Sequence, residues 1–339
     1  METSALSISV VLPVFHRQQS VENINLLRRS LESIKDQRMS IDYEILLVDD
    51  GSPVPISNFK DVLGEAAHDV TWIRIPINRG LVNALNTGIL AARHTLIARL
   101  DADDVWLPSK IDKQLSQFES DADLTISATG MSLVKTDGSH IEDHIRPGDW
   151  NGILRFFVDV GCPFPHGSVL AKKEIYRLLG GYPHSGNFSH CEDYTLWGTW
   201  LRFFKPAMVE ESLYNYTVSD SSVSAIHGEQ QRNASRIVQS RFAKGRLASK
   251  LPDALRSLAG CLGISLMNAG KLSYLLWQFK PDITLPSEAL DPLRVILFDR
   301  EFSTISSGSS SQSWADLLGL PRTIQSQPSD EITGRFYCL

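Results

Sequence analysis

The chain has 339 residues, of which 42% are hydrophobic and 21% charged, and its formal net charge is -6. These values are typical of a soluble globular protein with one large domain or two ordinary ones. They argue against a nucleic-acid-binding protein, which usually carries a basic excess.

The first 120 residues alternate between predicted strands and predicted helices. Four apolar runs have the length of strands, namely ISVVLPVF, YEILLVD, VTWIRIP and TLIARL. Helical patterns separate or follow these runs at about 20–37, 59–68, 81–94 and 108–120. This alternation predicts an α/β fold in which helices cover both faces of a mostly parallel sheet.

The pattern changes beyond residue 124, where a strand over LTISATGMSLV and a hairpin turn at Asp137-Gly138 are expected. Helices are expected near 151–160, 172–179 and 192–204 and over most of 229–279, before a flexible Ser-rich joint at 306–313. The apolar stretch 258–277 contains Asn268 and Lys271. A core or surface helix is therefore expected there rather than a membrane span.

Two acidic clusters follow predicted strands. Asp49 and Asp50 come after the second strand, and Asp101, Asp103 and Asp104 come after the fourth. Ligands bind beyond the carboxyl ends of the strands in such sheets, although an acidic loop can also be a plain solvated turn. Two clusters at corresponding places favour a ligand site.

The crowded carboxylates of LDADDVWLP predict a divalent cation, which would neutralise their mutual repulsion. An EF-hand calcium loop does not fit, because Trp106 stands where that loop needs glycine and Val105 takes a ligand position. An incomplete shell of carboxylates suits Mg²⁺ or Mn²⁺, with phosphate oxygens as the remaining ligands.

The motifs SVVLPVF, EILLVDDGS, NRGLVNALNTGI, IARLDADD, GGY and CEDYTLW occur in this order. Together they resemble those of the inverting glycosyltransferases of family 2, over about residues 7–224. The resemblance implies a GT-A fold, which is a Rossmann-like sheet flanked by helices. It also implies a catalytic domain over 1–224 and a mainly helical C-terminal region of unassigned role over 225–339.

The same resemblance implies the reactants. The donor would be a nucleotide-diphosphate sugar, with UDP as the first expectation, and the acceptor a hydroxyl of a glycan, a lipid-linked molecule or a protein. Mn²⁺ or Mg²⁺ would assist departure of the diphosphate. This family serves polysaccharide, lipopolysaccharide and protein-glycan pathways of the cell envelope and beyond. Because METSALSISVVLPVF lacks the basic region of a signal peptide, we expect a cytoplasmic protein that can associate peripherally with the inner face of the membrane.

The resemblance assigns the donor-binding residues. Phe15 would lie against the base, and Asp50 would accept from a ring N–H. Asp49 would lie nearby, or would instead cap the turn formed with Gly51 and Ser52.

The resemblance implies that the metal binds at residues 101–104, which we call the acidic loop. Asp103 would bind the metal directly, while Asp101 would contact the ribose or reach the metal through water. Asp104 is expected to cap the following helix. Arg79 and Arg99 are candidate phosphate contacts, and the equally weighted alternatives are a surface charge and a strand-end ion pair.

The acceptor hydroxyl needs a general base opposite the leaving group. By resemblance this is Asp193, with Glu192 orienting it or binding acceptor hydroxyls. A helix N-terminus favours the carboxylate form, although acidic residues there often only complement the helix dipole. His166 and Ser168 resemble the segment that lies beneath the donor sugar.

Two features depart from the family pattern. The triplet 84–86 reads ALN where many members have ARN, and Thr217 and Ser219 stand where many have Arg and His. Either His227 replaces that histidine, or the site has fewer protein ligands.

Three other classes of protein fit the sequence less well. A catalytically inactive relative that binds a nucleotide sugar or a glycan is consistent with Ser219, but the intact acidic pairs argue against it. A nucleotidyltransferase would need a Gly-rich loop where LPVFHRQQS has none, and a dinucleotide oxidoreductase would need GxGxxG there.

Overall fold

The computed structural model describes residues 6–184, 191–219, 223–243, 248–279 and 283–297, together with 305–307 and 318. The N-terminal part alternates strands and helices, as the sequence predicts. These elements are β1 (Ile8–Val14), α1 (Val21–Lys35), β2 (Tyr43–Asp49), α2 (Lys60–Leu63), β3 (Val70–Arg74), α3 (Leu81–Ala91) and β4 (Leu96–Arg99). The strand β1 pairs in parallel with β2 and β4, and β2 pairs in parallel with β3.

Burial explains why these segments form a covered sheet. All seven residues of β1 are buried, as expected for a strand with helices on both faces. The helix α1 buries its predicted apolar stripe, Ile24, Leu27, Leu31 and Ile34. It begins where the Ser20 side chain accepts from the Asn23 N–H at 3.0 Å, which satisfies a free donor of the first turn.

The next part of the chain completes the sheet. Its elements are β5 (Val105–Trp106), α4 (Lys110–Ser120), β6 (Leu124–Lys135), β7 (His140–His144), α5 (Trp150–Asp159), β8 (Leu170–Lys172), α6 (Lys173–Leu179), α7 (Glu192–Phe203) and β9 (Lys205–Val218). Among the described residues, the strand order is β3-β2-β1-β4-β8-β6-β9-β5, with β7 paired to β6. The predicted α/β architecture is confirmed. The sheet is mixed, because β8, β7 and β5 pair antiparallel with their neighbours.

The C-terminal part is mainly helical, as predicted. Its elements are α8 (Val223–Ala243), α9 (Leu251–Leu262), α10 (Leu266–Phe279), β10 (Ile283–Leu285), α11 (Ser287–Ile296) and β11 (Ile305–Ser307). The predicted long helix at 258–277 is divided between α9 and α10 at Gly263, which adopts a φ of 64° in the left-handed region. Within the described ranges, every helix is too short or too polar to cross a bilayer.

One apolar core joins this C-terminal part to the sheet. Side chains of α9, α10 and α11 pack in the same buried cluster as those of α5 and α7. The domain boundary at 224 therefore stays a prediction, and most of the predicted joint at 306–313 lies outside the described residues. The predicted helix at 59–68 consists of α2 with a short 3-10 turn on each side.

The contact between α10 and α7 gives a stability prediction. A methyl group at Gly270 would collide with the Phe203 carbonyl oxygen, whereas Gly260 in α9 has no atom within 4 Å of the same position. We expect Gly270→Ala to lower the free energy of unfolding by about 1–3 kcal/mol through overpacking. Gly260→Ala, the matched control, should be neutral or stabilising by up to about 1 kcal/mol. Urea unfolding measures both, and equal effects would contradict this packing.

Candidate active site

Arg99, the last residue of β4, is the charged group at the base of the acidic loop. Its side chain is 3% exposed and forms an ion pair with the Asp101 carboxylate. Burial alone would lower the pKa of Arg99, but Asp101 raises it above the ordinary value, so the guanidinium stays charged. Of the two predicted roles for Arg99, the structure therefore shows the strand-end ion pair.

Asp104 is 1% exposed and binds the end of β9 rather than the following helix. Its Oδ1 accepts from the Thr217 N–H at 2.7 Å, and its Oδ2 accepts from the Tyr214 hydroxyl. The predicted helix cap is wrong, because α4 begins after Ser109 and has no side-chain cap. Asp104 therefore fixes the acidic loop to β9.

Asp103 stays half-buried above this anchor. Its backbone carbonyl accepts from the Thr217 hydroxyl at 2.6 Å, and among the described residues no cationic side chain forms an ion pair with its carboxylate. Burial, and then the charge of Asp101, raise the pKa of Asp103 to about 6. A ligand cation would relieve this repulsion.

The loop after β2 is fixed by its own two carboxylates. Asp49 Oδ1 accepts from the Ser52 N–H at 2.9 Å, which shows the predicted turn cap, and Asp49 Oδ2 pairs with Arg74. Asp50 accepts from the backbone N–H groups of Arg79 at 3.0 Å and Gly80 at 2.7 Å. Each carboxylate oxygen keeps a further lone pair, so Asp50 can still accept from a ligand.

Phe15 and Arg79 border the same end of the sheet. Phe15 is 39% exposed and follows the last residue of β1 directly. The Arg79 side chain is exposed, and within the described residues no hydrogen bond or ion pair of its guanidinium is found. Both side chains are therefore available to a ligand at the carboxyl ends of β1 and β2.

Glu192 and Asp193 start α7, as predicted. Burial, and then the charge of Asp193, raise the pKa of Glu192 to about 7. The charge of Asp101 also raises this pKa, whereas the charge of Arg99 lowers it. Burial also raises the pKa of Asp193, whereas the hydrogen bond from the Tyr194 N–H and the charge of Arg99 lower it. Because Arg99 and Asp101 act on this pair, the structure brings the two acidic motifs into one electrostatic environment.

His166 connects this environment to the loop before α7. Its Nε2 lies 2.7 Å from the Tyr182 hydroxyl. Burial, and then Arg99, lower the pKa of His166 well below the ordinary value, so the imidazole is neutral at neutral pH. Ser168 differs, because it is fully buried and its hydroxyl donates to the Pro165 carbonyl at 2.8 Å. Ser168 thus stabilises the 166–168 turn through this internal hydrogen bond and is not exposed to a ligand.

Asn86 is a supporting residue that the sequence reasoning missed. Its Oδ1 accepts from the Tyr182 N–H at 2.8 Å, and its Nδ2 donates to the Tyr182 carbonyl at 2.9 Å. This explains why asparagine stands third in the ALN triplet. The signal was present, since the departure from ARN leaves the asparagine unchanged. Trp197 and Trp200 of α7 are fully buried and pack in the apolar core.

The residues at the positions that depart from the family pattern lie in different environments. Thr217 is 2% exposed and, as described above, binds the acidic loop. Ser219 lies half-buried one residue beyond β9. The side chain of His227 lies outside the described residues, so its substitution for the missing histidine stays a prediction.

A divalent cation fits the acidic loop by its donor chemistry. Asp101 and Asp103 offer hard oxygen atoms, which Mg²⁺ and Mn²⁺ prefer. The described part of the chain contains no group of three or more His, Cys, Asp and Glu side chains placed to hold a metal. Within those residues, the two carboxylates alone do not complete a shell, and phosphate oxygens are the natural complement.

Comparison with known proteins finds similar sequences. The family model described as glycosyl transferase family 2 matches residues 9–177. The amylovoran biosynthesis glycosyltransferase AmsE of Erwinia amylovora is 32% identical over 192 residues, which are 56% of this chain and 67% of that protein. The O-antigen biosynthesis glycosyltransferase WbnJ of Escherichia coli is 29% identical over 222 residues, 63% of this chain and 81% of that protein.

Solved structures share the fold. Residues 1–349 of S. aureus TarS match 97% of this chain and 79% of that chain, with a TM-score of 0.51 at 13% identity. The mannosyltransferase PcManGT of Pyrobaculum calidifontis was solved with GDP-Man and Mn²⁺. The match covers 97% of this chain and 83% of that chain, with a TM-score of 0.51 at 16% identity. At these identities the likeness is one of fold alone, and it confirms the predicted GT-A architecture.

The anchor between Asp104 and β9 gives a second stability prediction. Tyr214→Phe removes a buried donor to a carboxylate, so we expect the free energy of unfolding to fall by about 1–3 kcal/mol. Tyr274→Phe is the matched control, because Tyr274 is also buried and no hydrogen bond of its hydroxyl is found within the described residues. Urea unfolding measures both variants. Equal losses would mean that the Tyr214 hydroxyl does not hold the loop.

Proposed function

The chain belongs to glycosyl transferase family 2, and from this premise we propose that it transfers a sugar from a nucleotide-diphosphate donor to an acceptor hydroxyl with inversion at the anomeric carbon. One observation carries the proposal. Arg99 and Asp101, the buried ion pair at the acidic loop, act electrostatically on Glu192, and Arg99 acts also on Asp193. A direct displacement needs a leaving-group site and a base in one site, and this arrangement supplies candidates for both.

The donor nucleotide would bind at the carboxyl ends of β1 and β2. Phe15 offers an exposed ring for the base to stack on. Asp50, held by the Arg79 and Gly80 N–H groups, offers a fixed acceptor for an N–H of the base. The exposed guanidinium of Arg79 would meet the diphosphate, while Asp49 holds the turn through the Ser52 N–H.

The diphosphate is the leaving group, and its negative charge grows as the glycosidic bond breaks. Asp103 and Asp101 would hold Mn²⁺ or Mg²⁺, which when bound supplies positive charge to that leaving group. Arg99 balances the carboxylates from below, through its ion pair with Asp101. Asp104 keeps the loop in place through Tyr214 and the Thr217 N–H.

The base would be Asp193, which takes the proton of the acceptor hydroxyl. Its carboxylate lies at the start of α7 and near Arg99, and both features favour the ionised form. Glu192, whose pKa is raised to about 7, would hold acceptor hydroxyls. The neutral imidazole of His166 would contact the donor sugar, since it brings no charge to the displacement.

The acceptor is proposed from the relatives. AmsE and WbnJ are named for amylovoran and O-antigen biosynthesis, so we expect a glycan acceptor, free or lipid-linked, of a surface polysaccharide. A cytoplasmic location at the inner face of the membrane would suit a lipid-linked acceptor. An inactive binding module is the second candidate, because Ser219 stands where a histidine is common.

Nucleotide binding can be tested without knowledge of the acceptor. We expect one of UDP, GDP, CDP and dTDP, with UDP first, to raise the melting temperature only when Mn²⁺ is present, because ligands that bind the folded state stabilise it. Asp103→Ala should abolish this shift. Asp112→Ala, an exposed acid on α4, is the control and should keep it. A wild-type protein that responds to none of the four would contradict the donor site.

The base can be tested separately. Asp193→Asn should lower kcat by roughly 100-fold or more, since general-base catalysis commonly contributes this much. Nucleotide binding should persist, because Asp193 is not placed in the nucleotide site. Asp159→Asn, an exposed acid at the end of α5, is the control. Release of nucleotide from a sugar donor measures the rate, and an active Asp193→Asn would exclude this base.

A further inference from the structure

The carboxylate of Asp193 is held from two sides. Its Oδ1 accepts from the Tyr194 N–H at 2.7 Å. Its Oδ2 lies 3.8 Å from the Cys162 Sγ, which also lies 3.5 Å from the Phe164 carbonyl oxygen, so the thiol is directed at both acceptors. Burial raises the pKa of the Cys162 thiol well above the ordinary value, so the sulfur keeps the proton that it donates. A thiol is a weak donor, so the contact depends on the position of the segment after α5 that carries Cys162, which we call the Cys162 loop.

Arg146 places that loop. Its Nη1 donates to the Cys162 carbonyl at 2.5 Å, and its guanidinium lies 5.2 Å from the centre of the Phe156 ring on α5. Among the described residues, no carboxylate lies within 4 Å of this guanidinium. Burial lowers the pKa of Arg146, while its interactions with the Cys162 thiol and with Asp193 raise it.

We infer that Arg146 is a positioning residue for Asp193: it fixes the Cys162 loop, and through it the thiol, against the base, and it adds an unpaired positive charge beside the carboxylate. This inference rests on the function proposed above. It also assigns a role to the segment between β7 and α5, which none of the sequence motifs contains.

Other charges also face Asp193. Glu192 precedes it on α7, Arg99 acts on it from the end of β4, and Asp101 acts on the neighbouring Glu192. Among the described residues, the hydroxyls of Tyr182 and Tyr194 and the thiol of Cys191 are further ionisable groups that interact with Asp193. Arg99 is already paired with Asp101, so Arg146 is the cation whose loss should change the ionisation of the base most cleanly.

The sign of the effect follows from charge. Asp193 works as a carboxylate, so activity falls at low pH as the Glu192–Asp193 pair takes up a proton. A nearby cation favours the carboxylate and lowers its pKa. Arg146→Met should therefore move the acid limb of kcat/KM to higher pH by about half a unit. Arg146→Lys keeps the charge, so the acid limb of its kcat/KM profile should lie at the wild-type pH.

The experiment compares Arg146→Met, Arg146→Lys and Arg155→Met, the last being an exposed arginine of α5 that serves as control. Arg146→Met should also lower kcat roughly tenfold through misplacement of the base, with the KM for the donor unchanged. Cys162→Ser keeps a donor and should retain more activity than Cys162→Ala. Melting curves and Mn²⁺-dependent nucleotide binding show whether each variant is folded.

Two results would overturn the inference: an Arg146→Met profile that coincides with that of Arg155→Met, or a Cys162→Ala variant as active as wild type. These outcomes are distinguishable from failure of the proposed function. If Asp193→Asn is inactive while Arg146→Met is normal, only the positioning role is wrong. If Asp193→Asn is active, the proposed base is wrong.

Discussion

The ion pair between Arg99 and Asp101 is the interaction on which the site depends. A guanidinium that is 3% exposed is tolerated only when a charge partner is fixed beside it, so Asp101 must lie at the end of β4. The positive charge then acts outward on Asp103 and, across the site, on Glu192 and Asp193. One buried cation thereby lowers the free-energy cost of placing several partly buried carboxylates near one another.

The rest of the fold holds this arrangement at fixed points. Asp104 binds the acidic loop to β9, and Asp50 binds the turn before α3. From α3, Asn86 holds the backbone of Tyr182, whose hydroxyl reaches His166. The polar residues beside the site therefore serve mainly as supports, while Phe15, Arg79 and Asp103 keep side-chain groups available to a ligand.

Much of this could be predicted from sequence, because it depends on local patterns. The apolar runs of β1 and β2 and the stripe of α1 follow directly from periodicity, and the position of acids after strands follows from the parallel sheet. The role of Asp104 could not be predicted, since its partners Tyr214 and Thr217 are distant in the chain. The same limit hid Asn86, Arg146 and Cys162, whose contacts depend on how distant segments pack.

The stereochemistry of transfer is the most direct test of the central claim, that Asp193 activates an acceptor for direct displacement of the diphosphate. Proton NMR can record the anomeric configuration of the sugar released or transferred from an α-linked nucleotide donor, before mutarotation of any free sugar. A single base on the face opposite the leaving group predicts a β product. An α product would require a different arrangement of the reacting groups and would contradict the account.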